Sequence, residues 1–207
     1  MSKYGLNAPK VYQCVIIDPA LIQNATKFFT PGAPKFLLSG QDIDHEAMLD
    51  LRARFICDGD WDLETVKLSD VSIFARAFDR YSNNRSWQDV GEVDWLKQRI
   101  VSNGIQDGCR NHNDIERRLK GLDDLYQSIA LENKLLTRRH IKKLSFREKN
   151  GIGVAIGRSG QLIWLADGAH RLAISKHLGL KTIPVTVLLV HEEAVRFGFF
   201  NQLVSKS

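Results

Sequence analysis

Cysteine is scarce in this 207-residue chain, and the three present, Cys14, Cys57 and Cys109, are an odd number with no CxxC pair. That excludes a disulfide framework and a zinc knuckle, and it points to reduced thiols in a cytoplasmic setting. Long apolar runs are missing too. The most apolar stretch, Ile183 to Val190, falls far short of the ~20 residues a membrane-spanning helix needs. The opening MSKYGLNAPK has no apolar segment of the kind that directs secretion, so no membrane partner is expected. Internal repeats and low-complexity tracts are absent. With 43% hydrophobic and 26% charged residues, the chain reads as a globular protein and not as a disordered, collagen-like or coiled-coil one. At this length ~70% of the unfolded surface is buried on folding, so neither a disulfide nor a structural metal is required. The excess of positive charge is only +5. It permits a nucleotide, a phosphorylated sugar or a nucleic acid as partner without demanding one.

What is there becomes more legible toward the C-terminus. Val11 to Asp18 is a β-type run stopped by Pro19, and Thr30 to Pro34 is a turn-rich connector. From Ile43 to about Asn103 aromatic residues are scattered among charges, with a short helix expected over Asp94 to Val101. Asn113 and Glu116 resemble a capping box. Behind them Ile115, Leu119, Leu122, Tyr126 and Ile129 recur at alternating four- and three-residue spacings, which predicts a helix with one buried stripe and a solvated face of Arg117, Arg118, Lys120 and Asp124. Ile152 to Ile156 and Gln161 to Ala166 flank an Arg158–Gly160 turn as a hairpin. Ala169 to Leu178 is helical and stopped by Gly179, and Thr182 to Val190 suits a strand buried on both faces.

The informative junction is Asp167-Gly168-Ala169-His170-Arg171, where an apolar strand passes directly into a helix. Helix starts present free N–H groups and about half a positive charge, so a phosphate can rest on the backbone of Gly168 to His170. Arg171 would add a fork of donors, Gly168 would allow close approach, and His170 would donate or move a proton. The plainer alternative is that Asp167 caps the helix and His170 and Arg171 are half-exposed surface residues.

The segment DGAHRLAISKHLGLKTIPVTVLL resembles the second half of the ParB and sulfiredoxin superfamily domain, whose members carry Gly-x-x-Arg at a helix start followed by an IPV-type strand. LDDLYQSI, Leu122 to Ile129, is similar to the helix that precedes the hairpin in ParB-like domains. The resemblance spans roughly residues 113 to 191. It implies an α/β (α+β) fold in which a ParB/sulfiredoxin-like core with a small mixed sheet occupies residues 108–192. Residues 1–107 would supply a first strand and an α-rich extension, and 193–207 a tail. It also implies a nucleotide-phosphate site at Gly168 to Arg171, since the superfamily includes CTP-hydrolysing partition proteins, ATP-using sulfiredoxins and free serine kinases. Sulfiredoxins hold a cysteine where this chain has Ala169. Partition proteins carry an acidic residue and an arginine in place of Ala169 and His170.

Four further features are candidates. CDGDWD places Asp58, Asp60 and Asp62 within five residues, a pattern that suits Mg²⁺ or a catalytic base as readily as an acidic turn. It is not an EF-hand, because Leu63 and Ser69 stand where glycine and glutamate are required. Lys134 to Lys149 holds seven basic residues and one acidic, attractive to a phosphate-rich partner or simply a solvated face. Cys109 beside Arg110 is a candidate reactive thiol, Glu148 is a candidate acid, and His112 and His191 as metal ligands would need partners that the spacing does not supply.

The leading expectation is therefore a nucleotide-binding protein that transfers or hydrolyses a phosphoryl group of ATP, ADP or CTP with Mg²⁺. Asp167, Gly168, Ala169, His170 and Arg171 would form the phosphate site, His170, Arg171 and Asp60 would carry the chemistry, and Asp58 and Asp60 would hold the metal. A small molecule or sugar would accept the phosphate. The rival is a ParB-like nucleic-acid-binding module, or a nuclease, using residues 134–149.

Overall fold

A computed structural model of the chain describes residues 13–26, 36–38, 41–43, 55–137 and 151–205. The protein is α+β. Its strands are β1 (Cys14–Ile17), β2 (Asn24–Thr26), β3 (Phe36–Leu38), β4 (Gln41–Ile43), β5 (Ile56–Cys57), β6 (Thr65–Lys67), β7 (Ile152–Ile156), β8 (Leu162–Ala166) and β9 (Ile183–His191). The α-helices among the described residues are α1 (Ser72–Ser82), α2 (Glu92–Asn103), α3 (His112–Glu132), α4 (Ala169–His177), α5 (Glu192–Arg196) and α6 (Phe199–Ser205).

One mixed sheet runs β1-β9-β7-β8-β2-β6, with β5 also paired to β9, while β3 and β4 pair apart from it. The expected hairpin is its centre. β7 and β8 are antiparallel with Val154 opposite Trp164, and every residue of both strands is buried. β9 lies parallel to β7, with Val154 opposite Val187, and antiparallel to β1, with Cys14 opposite Thr186. Strands covered on both faces need apolar side chains at consecutive positions, which is the pattern of VLLV.

The sequence pattern places one strand before residue 107, whereas four strands of the sheet, β1, β2, β5 and β6, come from that half. The three-part division at 107/108 and 192/193 therefore runs through a single sheet and core. Val195 and Phe200, beyond the second boundary, are also in the main core. That core includes Phe74 of α1 against Trp164 of β8, ring planes perpendicular and centroids 5.0 Å apart, beneath Leu172, Ala173 and Ile174 of α4. A smaller cluster of Trp87, Val93, Leu96, Cys109, Ile115 and Leu119 joins α2 to α3.

Helix α3 follows its predicted stripe, with Ile115, Leu119 and Ile129 buried and Leu122 and Tyr126 partly so. Its cap is Asn111, whose side chain accepts from Asp114 N at 3.0 Å, and not the expected Asn113. Helix α4 ends as anticipated. Gly179 has φ +65°, and Gly179 N and Leu180 N donate to Lys176 O and Ser175 O, a reversal that favours a residue without Cβ.

Candidate functional site

At the junction of β8 and α4 the chain turns through two consecutive left-handed residues, Asp167 (φ +54°) and Gly168 (φ +61°). Trp164 Nε1 donates to Asp167 O at 2.8 Å and fixes the turn from below. Asp167 is exposed and Gly168 occupies the N-cap, with no side chain to close the helix. The first intrahelical bond is Leu172 N to Gly168 O at 2.9 Å, so the N–H groups of Ala169, His170 and Arg171 precede it.

Two expectations for this corner change. The close approach that Gly168 allows is taken by the protein itself: a Cβ there would stand 2.9 Å from Ile152 Cα and 3.0 Å from Gly151 O. His170 is not half-exposed but 7% accessible, and Ala169 is likewise buried. Arg171 is partly buried and already engaged with a neighbour.

Burial pushes the His170 imidazole down to about 3, and the nearby cations Arg118 and Arg76 push in the same direction. The ring is therefore neutral at physiological pH. The unfolded chain takes up a proton near the ordinary value of 6.5 that the folded chain refuses, so stability falls as pH drops from 6.5 toward 3. Urea midpoints measured between pH 7.5 and 5 should show this decline, and His170→Asn should flatten it; an unchanged slope in the variant would refute the assignment.

Around His170 the tertiary structure gathers groups that no spacing announced. Glu92, the first residue of α2, is fully buried. Its Oε2 accepts from Arg76 Nε of α1, and its Oε1 lies 4.0 Å from His170 Nε2. Trp87 stands perpendicular to the His170 ring, centroids 5.7 Å apart, and its Nε1 donates to Asp123 at 3.1 Å. Arg118 of α3 is only partly solvated: its Nη2 holds Asp107 at 2.7 Å while its Nε is buried. Among the described residues Glu92 Oε1, Arg76 Nη2, Arg118 Nε and both His170 ring nitrogens are buried without a hydrogen-bond partner. Groups of this kind are rare because each costs on the order of 1–3 kcal/mol unpaired.

Asp58 and Asp60 are not at this corner. They line an open groove of about 480 Å³ with Gly59, Arg158, His191 and Glu193, at the turn end of the β7–β8 hairpin, a strand's length of ~15 Å from Asp167. Asp60 is committed to Arg158 at 2.7 Å. The third acid, Asp62, which the sequence left without a specific role, is the buried one: it accepts from Arg158 N at 2.7 Å, from Arg158 Nε and Nη2, and from Gln161. Among the described residues no group of three or more His, Cys, Asp or Glu side chains is placed to hold a metal ion. The assignment of Asp60 to the chemistry of the His170–Arg171 corner, and of Asp58 and Asp60 to its metal, therefore does not fit this arrangement.

The remaining candidates resolve structurally. Cys109 is buried, and burial pushes its thiol up despite Arg118, the opposite of an activated nucleophile. His112 faces Glu116 at 3.4 Å, and His191 caps α5, accepting from Glu193 N at 3.1 Å while Nε2 meets Gly59 O at 2.9 Å. Glu148 and residues 138–149 of the basic segment lie outside the described residues. No helix among the described residues is long and apolar enough to cross a membrane. No family model matches the chain, and no curated protein or solved structure does either.

Proposed function

We propose that the chain binds a nucleotide by its phosphates at the start of α4 and transfers or hydrolyses the terminal phosphoryl group. The observation that carries this reading is the uncapped helix start at Gly168, with three N–H groups ahead of the first intrahelical bond and Arg171 in the same turn. Backbone donors, helix dipole and guanidinium together favour a polyanion. The neutral His170 in that turn has one N–H to offer an oxygen and carries no charge of its own. Mg²⁺ arrives with the nucleotide, and Asp58 and Asp60 are assigned no part in holding it. The reading agrees with the superfamily resemblance of residues 113–191, which points to the same four residues.

Titration calorimetry with ATP, ADP and CTP in the presence of Mg²⁺ tests it. Wild-type protein should bind at least one of them, and Arg171→Ala should weaken that binding roughly 10- to 100-fold, the worth of one charge-assisted contact. Heats that are equal in both proteins, or absent in both, would remove the proposal.

A further inference from the structure

The buried set around His170 specifies more than a phosphate. Glu92 Oε1 only accepts, and a neutral imidazole with its proton on Nε2 donates from that atom. The two atoms are 4.0 Å apart, too far for a direct hydrogen bond and close enough for one oxygen, ~2.8 Å from each, to bridge them. The bridging atom must donate to a carboxylate and accept from an N–H. An ammonium cannot accept. An ionised phosphate oxygen cannot donate, and the carboxylate repels it. A hydroxyl does both.

We infer that Glu92 and His170 form the acceptor subsite of the reaction proposed above: a hydroxyl, from a small alcohol or from water, binds between Glu92 Oε1 and His170 Nε2, and Glu92 is the catalytic base. The inference rests on the nucleotide reading. In the step, the hydroxyl proton passes to the Glu92 carboxylate and the hydroxyl oxygen forms a new bond to the terminal phosphorus. The bond from that phosphorus to the bridging oxygen breaks, and the electron pair leaves with the shortened nucleotide. Arg76 Nη2 and Arg118 Nε, buried and unpartnered among the described residues, supply donors for other oxygens of the acceptor. Arg76 Nε, bonded to Glu92 Oε2, keeps the carboxylate oriented with Oε1 toward His170. Trp87 shuts the subsite from solvent.

The test compares wild type with Glu92→Gln, which keeps the side-chain size and the bond from Arg76 but cannot take a proton. Nucleotide binding is measured by calorimetry with ATP, ADP and CTP plus Mg²⁺. Turnover is measured as release of the shortened nucleotide in water alone, then with glycerol, glucose, ribose, serine and threonine in turn. The expected result is nucleotide affinity within about twofold of wild type and turnover lower by about 100-fold or more, the usual worth of a positioned base. Stimulation by one of the added alcohols identifies a transferase, and turnover in water alone a hydrolase. Turnover of Glu92→Gln within threefold of wild type overturns the inference and leaves the nucleotide reading standing. So does wild-type protein that binds nucleotide but releases no shortened nucleotide, either in water alone or with any of the added alcohols. Wild-type protein that binds none of the three nucleotides overturns the underlying reading and this inference with it. Should Glu92→Gln melt below the assay temperature, Glu92→Asp, which keeps the charge but withdraws the carboxylate from His170, is carried through the same measurements. It should keep nucleotide affinity within about threefold and lose at least tenfold in turnover; full turnover in that variant overturns the inference.

Discussion

Gly168→Ala should destabilise the fold by about 2–5 kcal/mol, more than any ordinary glycine-to-alanine change. Two costs add. A left-handed backbone at φ +61° disfavours a Cβ by roughly 1–2 kcal/mol. That Cβ would also stand 2.9 Å from Ile152 Cα and 3.0 Å from Gly151 O, and overpacking against such neighbours costs about 1–3 kcal/mol. The obstacles include main-chain atoms, so no rotamer change removes the overlap and β7 itself has to move. Because β7 pairs with both β8 and β9, the strain reaches the centre of the sheet. Urea denaturation provides the check, and a loss below 1 kcal/mol would mean that β7 yields to a Cβ at Gly168 at little cost. The same variant should bind nucleotide more weakly, since the N–H groups at the start of α4 shift with the turn.

Asp62→Ala should cost about 3 kcal/mol, the lower part of the range for breaking a buried ion pair. The Asp62 side chain is fully buried while that of Arg158 is 27% exposed, so the orphaned guanidinium regains some water and keeps Asp60. What is lost is the anchor of the hairpin turn to the loop before β6, since Asp62 accepts from both the main chain and the side chain of Arg158. The pH dependence follows from the carboxyl's environment. Burial acts to raise its pKa, but the hydrogen bonds from Arg158 outweigh burial and hold it below the ordinary 3.8. A depressed carboxylate contributes stability that is fully present above the unfolded value and is lost as pH falls through the folded one. The difference in urea midpoint between wild type and Asp62→Ala should therefore be constant from pH 7 to about 5 and shrink below pH 4. A difference that persists undiminished at pH 2.5 would assign the effect to packing and not to charge.

Residues whose conformation is decided within one or two turns of chain were readable in advance. The stripe of α3, the β7–β8 hairpin, the stop at Gly179 and the apolar β9 all follow from periodicity and turn chemistry acting over a few positions. Even the two-residue error in the α3 cap is of this kind: Asn111 and Asn113 are both good caps, and only the position from which the chain enters decides between them. The short strands β2, β5 and β6 have two or three residues each. No periodicity exists at that length; they are strands because β8, β9 and β2 present open edges beside them.

The candidate site divides along the same line. That Asp167 to Arg171 joins a strand to a helix, and so places donors at a helix start, is a local property, and the amino-acid order determined it. Which side chains surround that helix start is not local. Glu92, Arg76 and Arg118 lie on three different helices, up to 94 positions from His170, and nothing in the residues flanking each one marks it for burial. The three acids of CDGDWD make the same point: composition makes them equivalent, yet the turn that follows β5 and the position of Arg158 bury Asp62 and leave Asp58 and Asp60 at a groove remote from the helix start. Electrostatics and desolvation depend on distance in space. A sequence orders residues along the chain, and only packing decides which charges meet away from water.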